Sequence, residues 1–376
     1  MDLDFSEEQN MLRDMVRGLV SEYAPIEVVR EMEDDPSGCP AELWKQLGEL
    51  GLLGILIPEE HGGAGQSLLE AALLYEELGR GLAPSPHFVS AVLAARTLQR
   101  AGSAEQQAEW LPKIANGDAM LSVAWMEPRG GFGTKGVQLE AKRDGDAWVL
   151  TGTKQHVAFA STAQRLLTLA RTGAGEMEIE LFLVDPAAAG VTLTQQRSIA
   201  ADTQYKVEFT GVRVADAERL GAAASGWRAF DDTMLEGVVL LAAQAMGGAE
   251  RALEITVQYA KDRKQFDKPL GAFQAISHYL ADAATAIEGG KTLVYEAAWA
   301  HANGHSIERL APMSKLFACK TYRDMTAMAQ QVWGGVGFTI EYDIQLFFRR
   351  AKQLQITRWD ERALEARVAA SVLDAA

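Results

Sequence analysis

Two cysteines in 376 residues, Cys39 and Cys319, are too few for a disulfide framework, and neither has a metal ligand at suitable spacing. Both are expected to be reduced thiols, and no metal site is expected. Positive charge is also scarce. The 36 Lys and Arg face 51 Asp and Glu, a formal charge of −15. That deficit argues against a broad surface for nucleic acid or an acidic membrane, although a local anion site is compatible with it. No apolar run reaches the roughly 20 residues of a membrane span. The acidic start, MDLDFSEEQ, has none of the architecture of a secretory signal, so a cytoplasmic location is expected. Internal repeats and low-complexity linkers are missing as well. What is left, 48% hydrophobic and 23% charged, is an ordinary globular composition, long enough for two or three domains.

Periodicity divides the chain. Ser6-Glu7-Glu8-Gln9 reads as a capping box with acidic residues in the first turn, followed by Leu12, Val16 and Leu19 at helical spacing. Trp44, Leu47, Leu50 and Leu53 continue the helical pattern up to the Gly/Pro-rich loop 57–67. Residues 68–79, 88–101 and the run QAEWLPKIANGDA are again helical, so residues 1–118 form an all-helical domain. From Leu121 the texture changes to short β-rich runs (AWVLTGTK, RLLTLAR, IELFLVD, VTLT, YKVEFTGVRV). In the last of these, Val207, Phe209, Gly211 and Arg213 alternate with Lys206, Glu208 and Thr210. Residues 119–226 are therefore expected to form a central antiparallel sheet or barrel. Helical periodicity returns over 227–376, where Leu364, Val368 and Val372 would give the last helix its apolar stripe. The stretch from Glu236 onward is a long amphipathic helix carrying Val239, Ala242, Ala245, Met246, Ala249, Leu253 and Val257. Gly247-Gly248 would weaken it by roughly 1 kcal/mol each, which points to close approach of a neighbour. Pro269 ends the helix at or before Lys268.

Two blocks carry a resemblance. YAKDRKQFDKPLGAFQAISHYLADA (259–283) and QVWGGVGF (331–338) resemble, in order, the helix-turn-helix and the Q-x-x-G-G-x-G-F loop of the acyl-CoA dehydrogenase family. The loop at 57–67 is similar to that family's P-E-E-x-G-G-x-G segment. The resemblance implies an α+β fold with an N-terminal helical domain, a central antiparallel β-domain and a C-terminal helical bundle. It also implies FAD, an acyl-CoA substrate and α,β-dehydrogenation: a carboxylate removes the α-proton while hydride passes to the flavin.

The same resemblance assigns the site residues. On the ring side of the chain's own flavin it points to Met126, Glu127, His156 and Ala158. His156 stands where the family usually has Trp, and Ala158 where it has Thr. Backbone N–H groups could still serve the ring there; the bland alternative for His156 is a half-buried strand histidine bonded to a carbonyl. Toward a neighbouring subunit's flavin it points to Arg263, Gln265, Phe266, Gln331, Gly334 and Gly335. Arg suits a diphosphate through its bidentate fork, and the glycines allow close backbone approach. GGFGTKG (130–136) lacks phosphate-loop spacing and reads as a surface turn.

The base is displaced. The family's usual glutamate position holds Arg358, which cannot accept a proton at neutral pH. Some relatives carry the base near the start of the long helix, and Glu236 lies within one residue of that place, about 100° of helix rotation. Asp360 or Glu361 would require a rebuilt loop. The leading expectation is thus an FAD-dependent acyl-CoA dehydrogenase using Glu236. It would be a homodimer or tetramer through its C-terminal helices, with electron-transfer flavoprotein as acceptor. The alternatives are a non-catalytic partner subunit in a hetero-oligomer, since the ring contacts are degraded and the neighbour-facing ones kept, and an acyl-CoA oxidase.

Overall fold

The computed structural model describes residues 4–221 and 225–373. Its helices are α1 (Glu7–Tyr23), α2 (Ile26–Glu31), α3 (Ala41–Glu49), α4 (Leu68–Arg80), α5 (Ala95–Ala101), α6 (Ala104–Asn116), α7 (Gly226–Asp262), α8 (Gln274–Ala302), α9 (Leu310–Trp333), α10 (Ile344–Ile356) and α11 (Glu361–Leu373). Between α6 and α7 run β1 (Leu121–Ala124), β2 (Glu140–Asp144), β3 (Ala147–Ala158), β4 (Arg165–Arg171), β5 (Ile179–Val184), β6 (Val191–Gln196), β7 (Gln204–Ala215) and β8 (Arg219–Leu220). The chain forms two compact units, one of Arg30–Gln66 and Pro84–Gly237, the other of the residues up to Val29, Ser67–Ala83 and those from Val238 onward.

The first unit is built on one eight-stranded sheet in the order β6-β7-β3-β2-β4-β5-β8, with β1 added beside β4. It is the expected sheet with one correction. Most pairs are antiparallel, but β1 and β4 are parallel, and β2 meets β4 in parallel at Glu140 and Arg171. Parallel neighbours need a crossover rather than a tight turn, and a long excursion through β2 and β3 separates β1 from β4. The helical run expected over 88–101 is also modified. Phe88–Ala94 forms wider π-type turns before α5 begins. From that segment Ser90 accepts the N–H of Leu121 at 3.1 Å, anchoring the first residue of β1.

His87, just before this segment, is wholly buried, with Nε2 3.1 Å from the carbonyl of Leu52. Burial draws its imidazole down to about 4, while the Leu52 bond opposes the shift. The unfolded chain, with an ordinary histidine near 6.5, therefore takes up the proton first. Stability is fully present above pH 6.5 and falls as the pH drops toward 4, by up to about 3 kcal/mol from this group. Denaturant midpoints measured across that window should show the loss, and His87→Gln should flatten it.

In the second unit α4 lies in the core. Its close packing against α7 explains the glycines. A Cβ on Gly247 would lie 1.8 Å from the carbonyl oxygen of Glu76, and one on Gly79 would lie 2.0 Å from that of Gln244. At Gly248 the neighbour is Tyr322. Two glutamates inside this core are matched by charge. Glu77 takes a bidentate pair from Arg17 at 2.6 and 2.9 Å, and Glu76 meets Lys291 at 2.9 Å and the Tyr295 hydroxyl. The stripe expected on α11 is shorter than anticipated: Leu364 is buried, whereas Val372 is 59% exposed.

Candidate active site

The residues assigned to a neighbour's flavin lie on one edge of the second unit. α7 stops at Asp262, and Lys264–Gln265 pairs with Lys268–Pro269 in a two-residue hairpin. Phe266 and Asp267 take φ of +52° and +59°, the pattern of a type I′ turn. The turn holds Phe266 out, 86% exposed, edge-on to Phe273. Tyr259, in the last turn of α7, stacks on Trp333 at the end of α9 (4.1 Å, 13°), and the Trp333 indole N–H donates to Thr256 at 3.2 Å. This stack joins the ends of the two helices, so Arg263, Gln265 and Phe266 share an edge with Gln331, Gly334 and Gly335. Arg263, Gln265, Gln331, Gly334 and Gly335 are all exposed. Gly334 sits at φ +64°, ψ −144°, a region open essentially to glycine, and a Cβ on either glycine would meet nothing within 4 Å. An exposed guanidinium beside uncovered Gly backbone fits the diphosphate and adenosine half of a dinucleotide.

The ring-side residues lie in the sheet unit, and the protein itself already uses their polar groups. Met126 gives its carbonyl to the N–H of Gln155 at 2.9 Å. Glu127 accepts the N–H groups of Gln138 and Leu139, all at 2.9 Å, and the ammonium of Lys154 at 2.6 Å. Burial lowers the Lys154 ammonium to about 8, even against the pull of Glu127. His156 is exposed rather than half-buried, and the carbonyl its ring meets is the side-chain amide oxygen of Gln204. It sits on a bulge of β3 at φ +55°, its N–H bonded to the side chain of Gln196 at 2.8 Å and its Nδ1 2.7 Å from Gln204 Oε1. The Ala158 carbonyl accepts the Ser122 hydroxyl. Trp125 packs against Phe132 and Phe230. Of the backbone N–H groups that would meet a flavin ring's carbonyls here, that of His156 is already taken by Gln196, and the Glu127 carboxylate is spent inside the protein.

The candidate bases have other occupations. Glu236 is 1% exposed, and both its oxygens are gripped. Arg96 donates through Nε to Oε2 at 2.7 Å and through a terminal nitrogen to Oε1 at 2.8 Å, and Arg100 adds a contact to Oε1. Arg100 also reaches Thr233 at 3.2 Å, and Arg96 reaches Gln99. Asp360 caps α11, accepting the N–H of Ala363 at 3.0 Å. Glu361 faces Gln355 at 3.4 Å. Arg358 and Trp359 form a left-handed corner, φ +50° and +69°. Lys315, fully buried, fixes it by donating to the carbonyls of Leu354, Thr357 and Trp359 at 2.9–3.0 Å. Burial lowers that ammonium too. Arg367 covers the Trp359 ring at 3.6 Å.

Three models of one family match along the chain: the N-terminal domain of acyl-CoA dehydrogenase over residues 6–118, its middle domain over 122–212 and its C-terminal domain over 224–371. A probable acyl-CoA dehydrogenase, YngJ of Bacillus subtilis, is 33% identical over 366 residues, 95% of each chain. The chain belongs to the acyl-CoA dehydrogenase family. Members are flavoprotein oxidoreductases acting on CH–CH bonds, and both dehydrogenases and reductases stand among the relatives. One is CarC of Acetobacterium woodii, a subunit of a caffeyl-CoA reductase-Etf complex, 30% identical with 94% of each chain covered. Among solved structures, the ChsE4-ChsE5 complex from Mycobacterium tuberculosis contains a chain with a TM-score of 0.90 and 28% identity, covering 99% of each. Among the described residues no helix is long and apolar enough to cross a membrane and no cluster could hold a metal ion.

Arg96, Arg100, Lys154 and Lys315 escaped the sequence reading. Arg96 and Arg100 stand four apart in α5, a spacing that puts both on one face, and that was the available signal. Lys154 and Lys315 gave none, since a lone lysine normally reads as a solvated charge.

Proposed function

We propose that this chain is the non-catalytic member of a hetero-oligomeric acyl-CoA dehydrogenase. It lends the Arg263–Phe266 hairpin and the Gln331–Gly335 turn to an FAD whose ring is held by a catalytic partner. One observation carries the reading. Neither place where the family keeps its base offers a carboxylate ready to take a proton: Glu236 is neutralised by two arginines, and the other place is Arg358. Both Glu236 oxygens are already committed to guanidinium donors, whereas the nucleotide-facing edge is uncovered. Bound FAD supplies the hydride acceptor for the acyl-CoA β-carbon. This chain's part is to bind the diphosphate through Arg263, let the nucleotide close on Gly334-Gly335, and shield that end from water. Electron-transfer flavoprotein is the proposed acceptor.

A visible spectrum of the chain purified alone, before and after anaerobic addition of acyl-CoA thioesters, tests this. Colourless protein that takes up no FAD is expected. A flavin band that bleaches with substrate would overturn the reading in favour of a self-sufficient dehydrogenase with Glu236 as base. Rapid recolouring in air would then indicate an oxidase.

A further inference from the structure

Gln330 is the most anomalous polar group beside the nucleotide-facing edge. It is 5% exposed, and neither its amide nitrogen nor its amide oxygen has a hydrogen-bond partner. Leaving a buried donor or acceptor unmet costs about 1–3 kcal/mol, and native structures rarely keep one without a reason. The position explains where the cost is held. Gln330 lies in the last turn of α9 and its backbone carbonyl accepts the N–H of Gly334. The 3-10 turn Gly334–Phe338 folds back over it so closely that a Cβ on Gly337 would come 2.6 Å from Gln330 Oε1 and 3.0 Å from the Cβ of Trp333. A carboxamide with two unused bonds is thus packed under a Gly-rich turn whose outer side is open.

We propose that Gln330 is a positioning residue that couples occupancy of this turn to its conformation. Contact of a dinucleotide's adenosine diphosphate moiety with Gly334-Gly335 shifts the turn and lets the carboxamide bond its backbone groups. Part of the binding free energy is then recovered beneath the ligand, by a side chain that does not touch it. This rests on the proposed assignment of that edge to FAD.

The test uses the complex recovered through an affinity tag on this chain, with Gln330→Met and Arg263→Ala compared with wild type. FAD retention on dilution and the thermal midpoint of the chain are read together. Gln330→Met is expected to release FAD about tenfold more readily while the chain unfolds no earlier than wild type, because two unmet groups are gone. A merely structural glutamine would lower both readouts together or leave retention unchanged, and either result overturns the inference. If Arg263→Ala releases FAD and Gln330→Met does not, only this inference fails. If neither variant changes retention, or the tagged chain brings down no flavin, the assignment of the edge fails with it.

Discussion

Glu236→Gln is expected to destabilise the sheet unit by about 3 kcal/mol while leaving turnover of the assembled dehydrogenase within a few-fold of wild type. The magnitude follows from the clamp. Removing one partner of a buried ion pair costs roughly 3–5 kcal/mol, because the other charge stays behind unpaired. Here two guanidiniums share one carboxylate, and they are only 20% and 26% exposed. The glutamine amide could still accept from one arginine through its oxygen but would turn N–H donors toward the other. The prediction separates two roles by sign. A general base mutated to its amide loses orders of magnitude in turnover at nearly constant stability, whereas a structural anion loses stability first. Urea midpoints and turnover of the same preparation decide it. A collapse of turnover with an unmoved midpoint would restore Glu236 as the base and remove the case for a catalytic partner.

The fold was readable in this sequence because its signals are local and repeated. The capping box at Ser6 forms as expected, with Gln9 N–H bonded to Ser6 Oγ at 3.2 Å and the reciprocal bond at 3.0 Å. The alternation in β7 holds through Phe209. An irregularity at Gly211 (φ +64°) then reverses the faces, so that Val212 and Val214 are buried and Gly211 and Arg213 exposed, against expectation. The long period of α7 depends only on which face is buried. Gly247 and Gly248 signalled close packing because nothing else justifies two glycines in mid-helix. Less legible was whatever depends on partners distant in sequence. Glu236 lies 140 residues from Arg96, so its spacing could nominate it as a base but could not show that its oxygens were taken. His156 aligned with a ring contact, yet Gln196 and Gln204 on two other strands determine what its groups do. The parallel pairing of β1 with β4 is equally silent in the sequence, since a four-residue apolar strand reads alike in either direction. Short-range geometry fared better in part: α7 ends before Lys268, as Pro269 led one to expect, but the turn falls at Phe266-Asp267 and Lys268–Pro269 is a paired strand.

Arg263→Ala should cause the largest loss of flavin, about 10- to 100-fold weaker retention by the complex, with no change in the stability of this chain. A charge-assisted hydrogen bond contributes about 1.5–3 kcal/mol, and every 1.4 kcal/mol is a factor of ten. The side chain is exposed, so truncating it removes ligand contacts but little packing. Its backbone bonds, N–H to the Tyr259 carbonyl and carbonyl from the Leu270 N–H, both at 2.8 Å, survive the substitution and keep the hairpin in place. Arg263→Lys sharpens the test. Lysine keeps the charge but not the planar fork, so an intermediate loss is expected if the guanidinium holds a diphosphate bidentately. Near-complete rescue by lysine would mean that only long-range attraction is at work, and the loss in the alanine variant should then vanish at high salt, where such attraction is screened within a few ångströms. Equilibrium dialysis of the complex at two salt concentrations distinguishes these outcomes. Unchanged FAD retention in the alanine variant would show that the edge formed by the ends of α7 and α9 serves some other ligand.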